Sequence, residues 1–151
     1  MQEVAFVEFS IDYLNLSGLW LKDPEIKKLT NSPELTRVTQ ISWFETLKFR
    51  SDYKIWGIEY DNKKIGVVGL KNISSPCAEY FGYIGEKEYW NKGISKYMLD
   101  HTCLYAKTNN IKEIHLRVIK DNPRAIRAYE KYGFEVYDDK NNEYLMRLNI
   151  L

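Results

Sequence analysis

Apolar and polar residues repeat with two different periods along this chain of 151 residues. Runs that are rich in β-branched and aromatic residues predict strands, and apolar residues spaced by three and four positions predict helices. The predicted order is a strand, a group of helices, three strands, a helix, a strand, a helix and two strands. This order indicates a mixed α/β sheet with one central strand-to-helix crossover.

The first third of the chain contains one predicted strand, over residues 4–9, followed by helices. A helix over residues 11–20 is expected to break near Gly18, because glycine is a poor helix former. The segment Asp23-Pro24-Glu25 is typical of a helix start, with proline at the first helical position and an acid in the first turn. A further helix covers about residues 39–49, and its spacing marks a face made of Ile41, Phe44, Glu45 and Lys48.

The middle of the chain predicts a hairpin and then an internal strand. Residues 53–60 and 65–70 flank a turn at residues 61–64. The next strand, over residues 77–85, has apolar side chains on both faces and is therefore expected inside the sheet. A helix begins at residue 94, with a predicted inner stripe of Ile94, Tyr97, Met98, His101, Leu104 and Tyr105.

The last third predicts a strand, a helix and a closing pair of strands. Residues 111–119 form the strand, and Ile114, Leu116 and Val118 share one of its faces. Asn122 is the expected N-cap of the last helix, Pro123 lies just inside it, and Gly133 ends it. Residues 134–137 and 144–150 complete the sheet.

Composition narrows the class of partner. With 22 basic and 21 acidic residues the net charge is +1, which favours neither nucleic acid nor an anionic membrane as a partner. A small substrate is the better expectation, handled by one domain spanning residues 1–151. The absence of a leader-like or membrane-spanning run predicts a cytoplasmic protein.

Cysteine and histidine positions do not predict a metal site. Cys77 and Cys103 lie in unlike contexts, so neither a disulfide framework nor a structural zinc site is expected. His101 falls on an apolar stripe and is interpreted as a satisfied core histidine, while His115 is open to a water-relay role. The two histidines do not have the spacing of a metal-binding pair.

The segment Glu88-Tyr-Trp-Asn-Lys-Gly-Ile-Ser95 lies between the internal strand and the following helix. Unpaired N–H groups and the positive end of the dipole make such a helix start an anion site. Gly93 would let the backbone approach a phosphate, Lys92 adds positive charge and Ser95 adds a hydroxyl. The alternative is that Gly93 is an ordinary loop glycine.

Two motifs resemble the GNAT superfamily of acetyl-CoA-dependent N-acetyltransferases. The first is the pyrophosphate loop, usually Arg/Gln-x-x-Gly-x-Gly/Ala, which corresponds here to Trp90-Asn91-Lys92-Gly93-Ile94-Ser95 and departs from the pattern at Trp90 and Ser95. The second is Asn-x-x-Ala-x-x-x-Tyr-x-x-x-Gly-Phe, which is matched completely by Asn122, Ala125, Tyr129, Gly133 and Phe134. The resemblance implies a single-domain α/β GNAT fold, with a mostly antiparallel central sheet, splayed central strands and flanking helices.

The resemblance also implies where acetyl-CoA would bind. Its pantetheine arm would lie beside Tyr83, Ile84 and Gly85, its diphosphate would rest on residues 90–95, and Asn122 and Tyr129 would complete the site. Gly82 and Gly85 fit a strand that bulges to admit a ligand backbone, or else they relieve crowding among aromatic neighbours. A backbone N–H near Tyr83 would hold the oxyanion.

The same resemblance implies catalytic roles for two residues. Tyr129 is the expected general acid, because a phenol with a reference pKa of about 10 stays protonated at neutral pH. Glu79 is the candidate base by its distance from the loop, although it can equally be a solvated or ion-paired strand residue. A glutamate that other branches use is replaced by Arg117.

The acceptor is expected to be a primary amine, acetylated by direct attack. Residues 20–28 resemble branches that acetylate nucleotide-linked amino sugars or the N-terminal amine of ribosomal proteins, and the amino sugar is the preferred interpretation. A non-catalytic module that binds an acyl-CoA is the alternative class. Dimers are common in the superfamily, so a homodimer is also considered.

Overall fold

A seven-stranded sheet runs through the computed structural model, which describes residues 3–150. The spatial order is β1-β2-β3-β4-β5-β7-β6, and neighbouring strands are antiparallel except for β4 and β5, which are parallel. The strands are β1 Val4–Glu8, β2 Lys54–Tyr60, β3 Lys63–Ser74, β4 Cys77–Ile84, β5 Glu113–Ile119, β6 Glu135–Lys140 and β7 Glu143–Asn149. This is the predicted mixed, mostly antiparallel sheet.

Helices cover both faces of the sheet. They are α1 Ile11–Trp20, α2 Pro24–Thr30, α3 Arg37–Thr46, α4 Ile94–Thr108 and α5 Pro123–Tyr132, with 3₁₀ turns at Leu47–Phe49 and Lys87–Tyr89. Because side chains alternate along a strand, Val68 joins the core under α4, whereas Val67 joins the core under α1. The face turned towards α4 and α5 is called the α4 face below, and the opposite face is called the α1 face.

Strands β4 and β5 separate soon after they begin. Within the described chain they pair only at Cys77 with Glu113, Ala78 with Ile114, and Glu79 with His115. Beyond these residues β4 continues to pair with β3 up to Ile84, so the gap opens on the β5 side alone. The expectation of splayed central strands is confirmed, and the gap provides the site described below.

Helix α1 differs from its prediction because it is unbroken at Gly18. Four side chains on its inner face are buried, namely Tyr13, Leu14, Ser17 and Trp20. Packing along that face offsets the roughly 1 kcal/mol that a helical glycine costs relative to alanine. A Cβ at position 18 would lie 3.3 Å from the Gln40 side chain of α3, so the small residue also permits this close approach.

Helices α3 and α4 present faces that differ from the predicted ones. In α3, Thr36 forms a capping box with Thr39 and starts the helix two residues early, and Glu45 and Lys48 are exposed. In α4, Tyr97 and Leu104 are 54% and 64% exposed. The buried residues of α4 are Ile94, Met98, Leu99, Thr102 and Ala106, because the helix rests on the sheet along the line that runs through Met98 and Thr102.

Among residues 3–150, no helix combines the length and the apolar character that a membrane span requires.

Candidate active site

A cleft of about 410 Å³ occupies the gap between the separated ends of β4 and β5. Tyr80, Gly82 and Ile84 of β4 and Val118 of β5 contribute to its lining. Helix α2 closes one side with Ile26, Leu29 and Thr30, while the starts of α4 and α5 close the other. The cleft therefore has strand edges on its floor and two helix N-termini at its mouth.

Most residues predicted to contact acetyl-CoA line this one cleft. They are Tyr83, Ile84, Trp90, Asn91, Lys92, Gly93, Ile94, Ser95, Asn122 and Tyr129. Gly85 and Glu79 are not among the lining residues. The fold thus brings together two motifs that are about thirty residues apart in sequence, whereas the proposed base lies elsewhere.

The N-terminus of α4 is open towards the cleft. Gly93 is its N-cap, in the left-handed region with φ 72° and ψ 17°, and no described side chain caps the helix there. No described heavy atom lies within 4 Å of the position that a Cβ would take on Gly93. Asn91 also has a positive φ of 63°. The first backbone N–H groups of a 15-residue helix are thus left for a ligand, and an anion is the ligand that they favour.

Trp90, which stands where the family pattern has Arg or Gln, ties the loop to the end of β4. Its Nε1 donates a hydrogen bond of 2.9 Å to the Ile84 carbonyl. The guanidinium of Arg124 lies 5.2 Å from the centre of the Trp90 ring, within cation–π range. Arg124 lines the cleft, so it supplies from α5 a positive charge beside the tryptophan that stands in place of the pattern's Arg or Gln.

The backbone of β4 determines which amides face the gap. Gly85 donates its N–H to the Ile65 carbonyl of β3 at 2.7 Å, and the Tyr83 carbonyl also lies against β3, beside Gly66. Because successive peptide groups of a strand point to opposite sides, the N–H groups of Gly82 and Ile84 face the gap, and that of Tyr83 does not. The backbone N–H groups near Tyr83 that face the gap are therefore those of its two neighbours, and the oxyanion role stays a prediction.

The bulge expected in β4 is absent from its paired residues. Pairing with β3 is continuous from Glu79 to Ile84. A Cβ on Gly82 would meet Met98 Cε at 2.8 Å, and one on Gly85 would meet the Trp20 ring at 2.1 Å. The two glycines thus make room for side chains that pack on the strand, so the second of the two expected explanations, relief of crowding, applies. The crowding groups are Met98 and Trp20, and not the aromatic residues of the strand itself.

Tyr129 lines the cleft from α5 and packs edge-on against the rings of Tyr80 and Phe134. Burial raises the pKa of its phenol to about 12. Its hydroxyl makes no hydrogen bond to any described residue, so its proton is free to be donated. A phenol with this pKa is fully protonated at neutral pH.

Glu79 lies on the α1 face and is ion-paired. Its carboxylate accepts a hydrogen bond of 3.2 Å from the Asn72 side chain. The Lys71 Nζ and Arg117 Nε atoms lie 3.6 and 3.8 Å from it, and its side chain is 17% exposed. Glu79 shares the α1 face with Phe81 and Tyr83, since these residues alternate along β4.

The two histidines have different surroundings. His101 stacks on Phe6 at 4.2 Å and contacts Trp56 edge-on, so it belongs to the core as predicted. Its buried Nε2 has no hydrogen-bond partner among the described residues, so the expectation that it is satisfied is wrong. Burial, and then Lys54, lower the pKa of His101. His115 is paired in register with Glu79, and its Nδ1 lies 3.1 Å from the Tyr137 hydroxyl.

A second cavity, of about 240 Å³, lies on the α1 face and shares Tyr83 with the cleft. This aromatic pocket is lined by Phe9, Trp43, Tyr53, Phe81 and Tyr83, together with aliphatic residues and Ser17, Thr39 and Gln40. The Tyr83 hydroxyl is buried without a hydrogen-bond partner among residues 3–150, and burial raises its pKa. A buried hydroxyl without a partner, on a residue that lines two cavities, is a polar contact that a ligand can complete.

A third cavity, of about 600 Å³, adjoins the aromatic pocket and shares Leu21, Leu35 and Gln40 with it. This basic pocket is lined by three cations, Lys22, Lys27 and Arg37, and by one carboxylate, Glu34, which pairs with Lys27. Arg37 donates a hydrogen bond of 2.7 Å to Asn15. Two cations, Lys22 and Arg37, thus remain in excess in the basic pocket.

Sequence reasoning missed the contributions of α2 and Arg124 to the cleft. Arg124 lies within the motif from Asn122 to Phe134, two residues after the N-cap Asn122, but nothing in the spacing indicated that it would reach Trp90. Ile26, Leu29 and Thr30 follow the helix start that was predicted correctly, and their i, i+3, i+4 spacing is the signal that they share a face.

Comparison with known proteins agrees with this geometry. The profile described as "Acetyltransferase (GNAT) family" matches residues 19–134. The acetyltransferase PseH of Campylobacter jejuni is 24% identical over 140 residues, which cover 92% of this chain and 87% of the relative. A domain from Methanocaldococcus jannaschii superposes with a TM-score of 0.88 at 23% identity, and covers 99% of each chain.

A further solved structure, that of C. jejuni N-acetyltransferase PseH in complex with acetyl coenzyme A, has a TM-score of 0.73 at 20% identity over 99% of each chain. The fold is thus the one found in this solved N-acetyltransferase structure. The chain belongs to the GNAT acetyltransferase family, and it is an acetyl-CoA-dependent N-acetyltransferase.

Proposed function

We propose that this enzyme acetylates the amine of a nucleotide-linked amino sugar, with acetyl-CoA bound in the cleft between β4 and β5. The observation that carries the proposal is a set of three neighbouring cavities: the cleft and the aromatic pocket share Tyr83, and the aromatic and basic pockets share Leu21, Leu35 and Gln40. The acceptor amine would reach the thioester past Tyr83, the sugar ring would lie against aromatic side chains, and the phosphates would lie near Lys22 and Arg37.

Charge supports this acceptor over a polyamine or a basic peptide. The aromatic pocket has no carboxylate among its lining residues, and the basic pocket has three cations against one carboxylate. A cationic acceptor would have to displace that excess positive charge, whereas a diphosphate would be attracted to it.

The proposed reaction is direct attack of the neutral amine on the thioester carbonyl. A C–N bond forms as the oxyanion accepts a hydrogen bond from the gap-facing N–H of Gly82 or Ile84. The C–S bond then breaks, and Tyr129 gives its proton to the departing thiolate. Glu79 is the proposed acceptor of the amine proton, from its position on the α1 face.

The diphosphate of the donor is proposed to lie on the open start of α4. Asn91, Lys92, Gly93, Ile94 and Ser95 would supply backbone N–H groups and one ammonium, and Arg124 would add a second positive charge beside Trp90. Tyr83, Ile84 and Gly85 would follow the pantetheine arm, and Asn122 would line its opposite side.

The test is a panel of amines assayed with acetyl-CoA by release of the free thiol. We expect the highest kcat/KM for an amino sugar linked to a nucleoside diphosphate, and at least a tenfold lower value for the same sugar without its nucleotide. A higher kcat/KM for spermidine, or for a peptide with a free α-amine, would contradict the amino-sugar proposal and identify that compound class as the acceptor. Complete inactivity of the panel would favour a non-catalytic acyl-CoA-binding module.

Two variants test, in the same assay, whether the basic pocket binds the phosphates of the acceptor. Lys22→Ala and Arg37→Ala are each expected to raise KM severalfold for the phosphate-bearing acceptor and to leave KM for the free amino sugar unchanged. Lys107→Ala, an exposed lysine in the last turn of α4, is the matched control and should change neither KM. Equal effects on both acceptors would contradict phosphate binding at this pocket.

Three accompanying proposals concern the protein as a whole. They are one domain over residues 1–151, a cytoplasmic location and a homodimer. Light scattering coupled to size-exclusion chromatography would test the homodimer by giving twice the mass of 17.9 kDa.

A further inference from the structure

Three metal-ligating side chains meet at the closed end of the cleft, where β4 and β5 are still paired. They are Cys77 at the start of β4, and Glu113 and His115 on β5. Cys77 and Glu113 are partners in the first of the three residue pairs of this ladder, and His115 belongs to the third. All three side chains lie on the α1 face, opposite the buried Ala78 and Ile114, because they occupy alternate positions on their strands.

The ligand atoms are already spaced for a metal ion. The Cys77 Sγ and His115 Nε2 atoms lie 3.7 and 3.6 Å from Glu113 Oε2, and the three atoms lie within 4.8 Å of one another. Zinc bonds of about 2.3 Å to sulfur and about 2.0 to 2.2 Å to nitrogen and oxygen, at tetrahedral angles, require ligand atoms roughly 3.3 to 3.6 Å apart. The two distances to Glu113 are already close to this range, and the third, between Cys77 Sγ and His115 Nε2, is at most 4.8 Å and can be closed by side-chain rotation.

A second contact orients the histidine. The Nδ1 atom of His115 lies 3.1 Å from the Tyr137 hydroxyl, and the two rings meet edge-on at 5.3 Å. In the tautomer that carries its proton on Nδ1, His115 donates this hydrogen bond and turns the lone pair of Nε2 towards Glu113. Such an outer hydrogen bond to the far ring nitrogen is the usual partner of a metal-binding histidine.

We propose that Cys77, Glu113 and His115 bind a divalent transition metal ion, with Zn²⁺ as the favoured ion, at the closed end of the β4–β5 pair. Thiolate, imidazole and carboxylate form the mixed ligand set that zinc accepts, and a water molecule would take the fourth position because the three side chains are half-buried. The ion would join the two strands across the pairs that determine where the cleft opens.

This site lies outside the cleft, although His115 is the register partner of Glu79, the proposed proton acceptor. None of the three ligands lines the cleft, and none is a proposed acid or base. The expected effect of the metal is therefore on stability, since an ion that binds the folded chain more tightly than the unfolded one raises the unfolding temperature. Sequence spacing alone does not reveal the cluster, because Cys77 and Glu113 are 36 residues apart and meet only through the strand ladder.

Titration with Co²⁺ tests the site without any measurement of activity. Wild-type protein, freed of metal with a chelator, should bind one equivalent of Co²⁺, with a near-ultraviolet thiolate charge-transfer band and intense visible bands of a tetrahedral ion. Zn²⁺ should displace the Co²⁺ and should raise the unfolding temperature. Glu113→Gln should weaken Co²⁺ binding at least tenfold.

The two free cysteines provide a matched pair of variants. Cys77→Ser should lose the charge-transfer band and the Zn²⁺-induced rise in unfolding temperature, while its metal-free unfolding temperature shows that it still folds. Cys103→Ser, on α4, should keep both signals. The proposal is overturned if the wild type gives no charge-transfer band, or if Cys77→Ser binds Co²⁺ as the wild type does, or if the band follows Cys103.

Discussion

Helices α4 and α5 begin at the same edge of the sheet, after the two parallel strands, but their N-termini are completed differently. The start of α5 is capped by its own Asn122, whose side chain accepts the Ala125 N–H at 3.3 Å. The start of α4 has Gly93 in place of a capping side chain and open space in front of it. The start of α5 thus has a side-chain acceptor for one of its N–H groups, and the start of α4 has none.

The difference assigns separate tasks to the two helices. The uncapped α4 is suited to hold the donor diphosphate, because an anion can replace the missing cap. The capped α5 needs no ligand at its start and is suited to position Tyr129, two turns further on, against the gap between the strands. Binding and proton transfer are therefore expected to respond to different substitutions.

The largest expected effect comes from removing the Tyr129 hydroxyl. Tyr129→Phe should lower kcat at least tenfold and change the Kd for acetyl-CoA by no more than a few-fold, because the leaving thiolate loses its proton donor while the cleft keeps its shape. Steady-state kinetics and calorimetric titration measure the two quantities.

Tyr132→Phe is the control for Tyr129, because it removes a hydroxyl of the same helix that donates to Asp100 at 2.7 Å. It should leave kcat unchanged. An equal loss of kcat in both variants would remove Tyr129 from the chemistry.

The next largest effect is expected from filling the open space at the N-terminus of α4. Gly93→Ala should weaken acetyl-CoA binding at least fivefold, because its methyl group occupies the space in front of the α4 amides and strains a left-handed residue by roughly 1 to 2 kcal/mol. Calorimetric titration with acetyl-CoA gives the change in Kd.

Gly133→Ala is the matched control, since Gly133 also has a positive φ, of 124°, and lies at the end of α5. It should lower thermal stability with no change in Kd. If Gly93→Ala binds acetyl-CoA as tightly as the wild type, the α4 N-terminus does not hold the diphosphate.

A smaller effect is expected at the cap of α5, where loss of the capping side chain changes stability and not acetyl-CoA binding. Asn122→Ala should lower the free energy of unfolding by about 1 kcal/mol, because the cap is lost. Asn122→Asp should keep that stability but weaken acetyl-CoA binding, since it puts a carboxylate at the mouth of an anion site. Chemical denaturation and calorimetric titration separate the two results, and unchanged stability of Asn122→Ala would argue against the cap.

The smallest effect concerns pH and His101, which lies in the middle of α4. Folding lowers the pKa of His101, so the unfolded chain takes up a proton first as the pH falls below about 6.5. The free energy of unfolding should therefore decrease from that pH down to the folded-state pKa of His101. Denaturation curves between pH 7.5 and 5.5 measure the slope.

His101→Phe should remove most of the pH dependence of the free energy of unfolding between pH 7.5 and 5.5. A chelator is present so that metal binding does not contribute. Tyr105→Phe, which changes another residue packed edge-on against Trp56, should leave it in place. If the free energy of unfolding of the wild type is constant between pH 7.5 and 5.5, folding does not lower the pKa of His101.

Local signals predicted the two helix starts well. Asn122, Pro123 and Gly133 are recognisable by residue type, because capping depends on neighbours within four positions. Gly93 was recognised for the same reason, as a residue without a Cβ between a strand and a helix. Faces of helices were predicted less well, as Tyr97 and Leu104 show, because rotation of a helix on a sheet depends on what lies beneath it.

Sequence by itself determined the order of strands and helices, because that order depends on short-range patterns, and the resemblance to a family pointed to the loop before α4 and to Tyr129 of α5. The tertiary structure alone decided where β4 leaves β5, that Arg124 approaches Trp90, that Glu79 is ion-paired, and that Cys77 meets Glu113. Those features depend on strand register and on packing between distant segments, and no local spacing encodes them.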